Sequence, residues 1–172
     1  MRLLFEMDAK NYDPNGVAFI RHSARCIHIQ NGLVAMVHSM KYNYYKFPGG
    51  GIEKDESREQ AMMRETLEEA GLTVIPESVK AYGYVHRIQR DDHDDADFFV
   101  QDNYYYLCDV EERIQAQKLD AYESDEKFTF EYVDPDRAIF VNRNADHGEI
   151  DQIMLEREAK VLELLKAEGY FS

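Results

Sequence analysis

The stretch Gly50–Leu72, GGIEKDESREQAMMRETLEEAGL, decides how this chain is organised. From Glu56 its pattern is helical, because apolar residues recur there with helical spacing on a partly apolar face. Ser57 or Asp55 is suited to cap the start of this helix, and Gly71 fits the position at which a helix ends. The sequence therefore predicts a helix from about residue 56 to residue 70.

Carboxylates crowd this predicted helix at Glu56, Glu65, Glu68 and Glu69. Residues three or four apart share a helix face, so Glu65 lies beside Glu68 and Glu69, where like charges repel. Clusters of carboxylate oxygens are what hard cations such as Mg²⁺ select, while Arg64 is placed to pair with a neighbouring glutamate. A plain glutamate-rich surface helix is the alternative interpretation.

Three glycines, Gly49–Gly51, precede the helix and follow Pro48. Glycine lets the backbone come close to a ligand or a metal, so these carbonyls and amides can contact it directly. The loop leads into a helix N-terminus, which favours phosphate.

The spacing of this stretch resembles the Nudix box: Gly, five residues, Glu, seven residues, Arg-Glu, an aliphatic residue, any residue, Glu-Glu, any residue, Gly, an aliphatic residue. The matching positions are Gly50, Glu56, Arg64, Glu65, Glu68, Glu69, Gly71 and Leu72. Thr66 departs from the pattern, since it stands where the family carries an aliphatic residue. We expect its hydroxyl to weaken packing on the core side of the helix without touching a metal-binding position.

The resemblance implies an α/β fold, a Nudix-type α/β/α sandwich with a mixed central sheet, and hydrolysis of a diphosphate linkage with Mg²⁺ or Mn²⁺. The implied metal-binding residues are Gly50, Glu56, Glu65, Glu68 and Glu69. The resemblance also implies that Arg64 orients a glutamate, and that the metals offset charge and acidify an attacking water. Glu68 and Glu69 thereby count among the catalytic residues as well.

The resemblance implies that a glutamate, either within the box or on a distal loop, takes the water's proton. In this chain the matching region is residues 123–128, where Glu126 is the first candidate and Glu123 the second. A solvated acidic loop is the alternative interpretation of this region.

The composition disfavours several classes of protein. The chain has 172 residues, with 34 acidic against 20 basic residues and a net charge of −14, which disfavours a binder of duplex nucleic acid. Its apolar runs are too short for a membrane span, and Met1–Lys10 lacks the pattern of a signal peptide, so a cytoplasmic location is expected. Cys26 and Cys108 lie in apolar runs and are expected as buried hydrophobes.

Asn31-Gly32 between two apolar runs, Val17–Gln30 and Leu33–Met40, predicts a hairpin. Arg21 and Arg25 are four apart in the first run, so they share a face and are suited either to grip phosphate or to form a salt bridge. We expect residues 1–16 to be an extension or edge strand and residues 17–172 to be a single domain. The remaining predicted elements are strands at 72–75, 81–88, 98–110 and 127–133, and helices that begin at Asp134-Pro135 and span 150–168.

Tyr45, with Tyr42 and Tyr44, precedes the glycines and is a candidate for stacking on a nucleobase; core packing or a dimer contact is the alternative. The acidic run at residues 91–97 lacks the glycine and terminal glutamate of a calcium loop and is expected to be solvated.

Substrate signatures outside the box are weak. The region past the box lacks the proline of ADP-ribose hydrolases, and Tyr84 lies too early for the tyrosine of dinucleoside polyphosphate hydrolases. Elimination leaves a nucleoside triphosphate, including oxidised forms, as the expected substrate of a metal-dependent pyrophosphohydrolase. A homodimer is the expected assembly. An ADP-ribose or nucleotide-sugar pyrophosphatase, a nonhydrolytic nucleotide sensor and an interaction module that docks a partner through its last helix remain alternatives.

Overall fold

A computed structural model of the chain describes residues 1–92 and 96–172. The larger of two sheets is mixed and has six strands. These strands are β1 (Leu3–Asp8), β2 (Ala18–Ile20), β3 (Ser23–Ile27), β7 (Gly49–Gly51), β8 (Lys80–Arg90) and β9 (Phe98–Leu107). Their order is β1-β8-β9-β3-β7, and β2 also pairs with β9. β1 is thus an edge strand, parallel to β8.

The smaller sheet has four antiparallel strands. They are β4 (Ile29–Gln30), β5 (Leu33–Ser39), β6 (Tyr44–Lys46) and β10 (Phe128–Val133). β5 is central and pairs with each of the other three.

Helices cover both faces of the larger sheet. They are α1 (Arg58–Ala70), α2 (Ala121–Asp125), α3 (Pro135–Asn144) and α4 (Gln152–Ala167), with a 3-10 turn at Pro76–Ser78. Tyr104 and Tyr106 pack in one cluster with Met62 of α1, whereas Tyr105 packs in another with Val161 of α4. Since successive strand residues point to opposite faces, α1 and α4 lie on opposite sides of the sheet. The predicted α/β sandwich with a mixed sheet is confirmed.

The predicted helix of the glutamate-rich stretch is confirmed with slightly tighter bounds. It begins after Ser57, whose hydroxyl accepts a hydrogen bond from the Gln60 amide while the Gln60 side chain accepts one from the Ser57 amide. It ends at Gly71, whose φ of 70° is the left-handed conformation that glycine adopts without strain. The helices predicted from Asp134-Pro135 and over residues 150–168 are also present as α3 and α4.

The predicted hairpin is confirmed at its turn, where Asn31 and Gly32 have φ values of 53° and 75°. Its first arm, however, is not one strand: residues 17–30 divide into β2, β3 and β4, and β4 belongs to the smaller sheet. At the change of sheet His28 is buried, with its Nδ1 atom 2.9 Å from the carbonyl oxygen of Cys108.

The strand predicted at residues 72–75 is wrong. This segment makes one isolated antiparallel bridge, between Val74 and Val110, rather than a ladder. Between the strands predicted at 98–110 and 127–133, where no element is predicted, the structure has the short helix α2. Residues 93–95 of the acidic run lie outside the described residues.

No helix in the described part of the chain is long and apolar enough to cross a membrane.

Candidate metal centre and substrate cavity

The glycine strand lies directly against the helix that carries the glutamates. β7 pairs with β3, and the amide of Gly49 donates a hydrogen bond to Glu69 Oε2 at 3.2 Å. A Cβ atom on Gly50 would lie 2.5 Å from the carboxyl carbon of Glu65. The absence of a side chain at Gly50 therefore lets the Glu65 carboxylate rest on the strand backbone.

Three carboxylates converge beside this strand. Glu65, Glu69 and Glu123 each offer an oxygen atom, and these atoms lie within 4.8 Å of one another. Glu69 is 1% exposed and Glu123 is 6% exposed. Glu65 and Glu69 come from α1, whereas Glu123 comes from α2, where Asp120 caps the helix and accepts a hydrogen bond from the Glu123 amide. This oxygen-only donor set suits a hard divalent cation.

The electrostatics of this cluster also fit a cation. Burial raises the pKa of Glu123 to about 7, and the negative charges of Glu69 and Asp120 add to this rise. Burial likewise raises the pKa of Glu65, against the lowering effect of its hydrogen bond with Arg64. Several buried carboxylates repel one another, and a positive charge at their centre would relieve that repulsion.

Lys46 supplies one positive charge to the cluster. Its Nζ atom lies 2.6 Å from Glu69 Oε1, and both side chains are almost fully buried. The same ammonium group lies 4.6 Å from the centre of the Phe128 ring, where a cation–π contact adds to its binding. Lys46 was not predicted from the sequence as a site residue, although a lysine three residues before Gly49 in an acidic protein was a usable signal.

Arg64 forms ion pairs with three glutamates of the same stretch, which are Glu56, Glu65 and Glu68. Its Nε and Nη2 atoms donate to the two oxygens of Glu56 at 2.7 and 3.0 Å, and Nη1 donates to Glu65 at 2.8 Å. A weaker contact reaches Glu68 at 3.3 Å, and Nη2 also donates to the Gly51 carbonyl at 3.1 Å. The two-pronged bond lowers the pKa of Glu56. Glu56 is thus held by arginine and lies apart from the three converging carboxylates.

The structure separates the two candidates for the distal glutamate. Glu123 is in the carboxylate cluster. Glu126 accepts hydrogen bonds from the hydroxyls of Tyr44 at 2.6 Å and Ser39 at 3.1 Å, so its carboxylate is held by the smaller sheet. The order of preference made from the sequence, Glu126 before Glu123, is therefore reversed by this geometry.

A cavity of about 620 Å³ opens beside the glycine strand. Its polar lining includes Arg21, Arg25 and Lys46, and its aromatic lining comes from Phe19, Phe99 and Tyr122. Both arginines proposed from the sequence face this cavity, although Arg21 lies in the break between β2 and β3. The three aromatic residues were not singled out from the sequence, because strand and loop aromatics more often belong to a core.

Tyr45 does not fit its expected role as a substrate contact. It is 1% exposed, and its ring stacks on His38 with 4.3 Å between the ring centres. Its backbone is fixed by two 2.8 Å hydrogen bonds with the side chain of Asn142. Tyr45 belongs to the hydrophobic core, and the alternating strand pattern of β6 explains its inward direction.

Thr66, the departure from the box pattern, is accommodated inside the helix. Its side chain is fully buried, and its hydroxyl donates a 2.6 Å hydrogen bond to the carbonyl of Met62 one turn earlier. Because the hydroxyl has a partner within its own helix, it adds no unsatisfied polar group to the core.

The fold and this site define a class of α/β proteins in which a glutamate-rich helix packs behind a glycine strand. The family model of the NUDIX domain matches residues 20–156, and the chain belongs to that family.

Three known proteins are similar to this chain in sequence or in structure. An RNA pyrophosphohydrolase from Baumannia cicadellinicola subsp. Homalodisca coagulata is 50% identical over 42 residues, which are 24% of this chain and 26% of that protein. The E. coli ORF135 protein has a similar structure at 18% identity, with a TM-score of 0.55 over 87% of this chain and 93% of that chain. A NUDIX hydrolase from Nitrosomonas europaea matches at 13% identity, with a TM-score of 0.53 over 83% of this chain and 90% of that chain. The two structural likenesses show the shared fold.

Proposed function

We propose that the protein is a divalent-metal-dependent hydrolase that cleaves the pyrophosphate linkage of a nucleotide. The observation that carries the proposal is the convergence of Glu65, Glu69 and Glu123 next to a cavity lined with arginines. Family membership and the name of the RNA pyrophosphohydrolase relative support the same reaction class.

Three arginines have distinct roles in the proposed reaction. Arg21 and Arg25 bind the phosphate oxygens from the cavity wall, since guanidinium groups match the geometry of phosphate. Arg64 holds Glu65 in position through its 2.8 Å hydrogen bond. When Mg²⁺ or Mn²⁺ is bound by the glutamates, it offsets the charge that develops on the phosphates and acidifies water.

A buried glutamate of the cluster accepts the proton of the attacking water in this proposal. Glu123 is favoured for that role because it reaches the cluster from α2, whereas Glu65 and Glu69 both come from α1. Glu68 is 38% exposed and contacts Arg64, so its contribution is expected to be smaller than that of Glu69.

We propose a nucleoside triphosphate, including oxidised forms, as the substrate. The cavity offers Phe19, Phe99 and Tyr122 as aromatic surfaces for a base, with Arg21 and Arg25 available to the phosphates. Its volume of about 620 Å³ lies within the usual range of small-molecule sites.

The test is hydrolysis of a nucleotide panel with Mg²⁺ or Mn²⁺, with products identified by mass spectrometry. We expect diphosphate cleavage that stops when the metal is chelated and falls by about 100-fold or more in Glu69→Gln, on the scale of a lost acid–base or metal group. Glu68→Gln should also lower the rate, by a smaller factor. Nucleotide binding without turnover would contradict the proposal and point to a sensor.

A further inference from the structure

Three buried arginines meet behind the proposed substrate cavity. Arg25 comes from β3, Arg87 from β8 and Arg157 from α4, and they are 7%, 7% and 1% exposed. All three line a second cavity of about 360 Å³. This second cavity shares Arg25, Asp91, Phe99 and Gln101 with the first, so the two spaces adjoin.

Carboxylates lie close to these arginines. Glu158 Oε1 lies 2.9 Å from Arg157 and 3.9 Å from Arg25, and Asp151 pairs with Arg87. Arg90, Asp91 and Asp92 also line this cavity, so the positive charge of its arginines is largely balanced. Burial, together with the positive charges of Arg157 and Arg25, lowers the pKa of Arg87 to about 10.

Arg157 carries an unused donor. Its Nη2 atom donates to Glu158 at 2.9 Å and its Nη1 atom reaches Gln101 at 3.4 Å. Its buried Nε atom has no hydrogen-bond partner among residues 1–92 and 96–172. Leaving a buried donor unsatisfied is costly, and more so for a charged group, so a ligand that accepts from it would be favoured.

We propose that the Arg25–Arg87–Arg157 cavity is a binding site for a phosphate group, separate from the carboxylate cluster. Guanidinium groups bind phosphate through paired hydrogen bonds, and the Arg157 Nε atom, for which the described residues provide no acceptor, is available to donate to a phosphate oxygen. Because the cavities adjoin, the phosphate is either free or part of a nucleotide that extends from the substrate cavity.

The first experiment measures binding of inorganic phosphate to the metal-free protein by calorimetry, at constant ionic strength. Chelation removes metal-assisted binding at the carboxylate cluster, and variants of Arg87 and Asp151, which line only the second cavity, separate the arginine site from the substrate cavity. We expect saturable binding, together with a phosphate-dependent rise in Tm. Arg87→Gln should weaken the affinity by about 10-fold or more, on the scale of hydrogen bonds to a charged group.

Two further variants distinguish phosphate binding from a purely structural ion-pair network. Asp151→Asn removes the carboxylate that competes for Arg87 but keeps a side chain able to cap α4, so it should tighten phosphate binding several-fold. Arg87→Lys keeps the charge and should retain part of the affinity. The control is Arg143→Gln, whose ion pairs with Glu156 and Glu163 lie on the surface, and it should leave the affinity unchanged.

Absence of phosphate binding, or equal affinity in Arg87→Gln, Asp151→Asn and the unmodified protein, would overturn the proposal. If Arg87→Gln fails to fold, the increase in phosphate affinity expected for Asp151→Asn still tests the proposal.

Failure of hydrolysis alone would overturn only the proposed function, because phosphate binding is measured without metal or turnover. Competitive inhibition of hydrolysis by phosphate that is lost in Arg87→Gln would assign the site to a phosphate of the nucleotide, and noncompetitive inhibition to free phosphate.

Discussion

Lys46 and Glu69 form a buried ion pair at the back of the carboxylate cluster, with 2.6 Å between Nζ and Oε1. The pair joins β6 of the smaller sheet to α1, beside the glycine strand of the larger sheet. Glu69 also accepts the Gly49 amide, so one carboxylate links the two sheets and the helix. Lysine thereby holds the Glu69 carboxylate in place.

Replacing Lys46 by Met should destabilise the metal-free protein by about 3–5 kcal/mol, because it leaves the Glu69 carboxylate buried without its partner. The free energy of unfolding from urea titration measures this loss. Saturating Mg²⁺ should restore part of it, since a cation at the cluster would replace the missing charge. The control is Lys41→Met, whose ion pair with Asp125 is exposed and should contribute less than about 1 kcal/mol. Equal losses in the two variants would contradict the structural role of Lys46.

The two distal glutamates should differ sharply when each is replaced by Gln. Glu123→Gln removes a carboxylate of the cluster and should lower kcat by about 100-fold or more. Glu126→Gln weakens hydrogen bonds with Tyr44 and Ser39 and should change kcat by only a few-fold, with a lower Tm. Steady-state kinetics and thermal unfolding of both variants provide the measurement. The reverse pattern would restore Glu126 as the group that accepts the proton.

The helix could be predicted from sequence because its signals are local. The cap at Ser57, the glutamate spacing and the ending glycine at Gly71 all lie within one short segment, and each appears where expected. The role of Glu123 could not be predicted, since neighbours on one short helix turn differ only in direction. Glu123 points to α1, whereas Glu126 at the end of α2 points to Tyr44. The burial of Tyr45 could not be predicted for the same reason, because it depends on which face of β6 meets the core.

The arginine cavity lay beyond sequence reasoning for a different reason. Its members come from β3, β8 and α4, and no spacing along the chain relates them. The division of residues 17–30 between two sheets could not be predicted either. A continuous apolar run does not show where along it the hydrogen-bond partners change from one sheet to the other.

Gly50→Ala should lower activity far more than stability. The added Cβ would lie 2.5 Å from the Glu65 carboxyl group, which can move away because it is the flexible end of a side chain. That movement would withdraw one carboxylate from the cluster, so kcat/KM should fall while Tm changes little. A double-mutant cycle with Glu65→Gln checks the cause: the double variant should be no slower than Glu65→Gln alone. Additive losses would show that Gly50 acts by another route.

Cys26 should make the stability of the fold decline at alkaline pH. A hydrogen bond with Cys108 and then burial raise the pKa of the Cys26 thiol well above its ordinary value of 9.0. Above that ordinary value the thiol ionises in the unfolded chain but stays protonated in the folded chain. The contribution of Cys26 to the free energy of unfolding should therefore be constant below about pH 8 and fall above about pH 9, by up to about 1.4 kcal/mol per pH unit. Urea unfolding of the reduced protein between pH 7 and pH 10.5 (roughly the range in which a thiol titrates) measures the slope, and Cys26→Ala should have a shallower one. Parallel curves for the two proteins would show that the Cys26 thiol is ionised equally in both states.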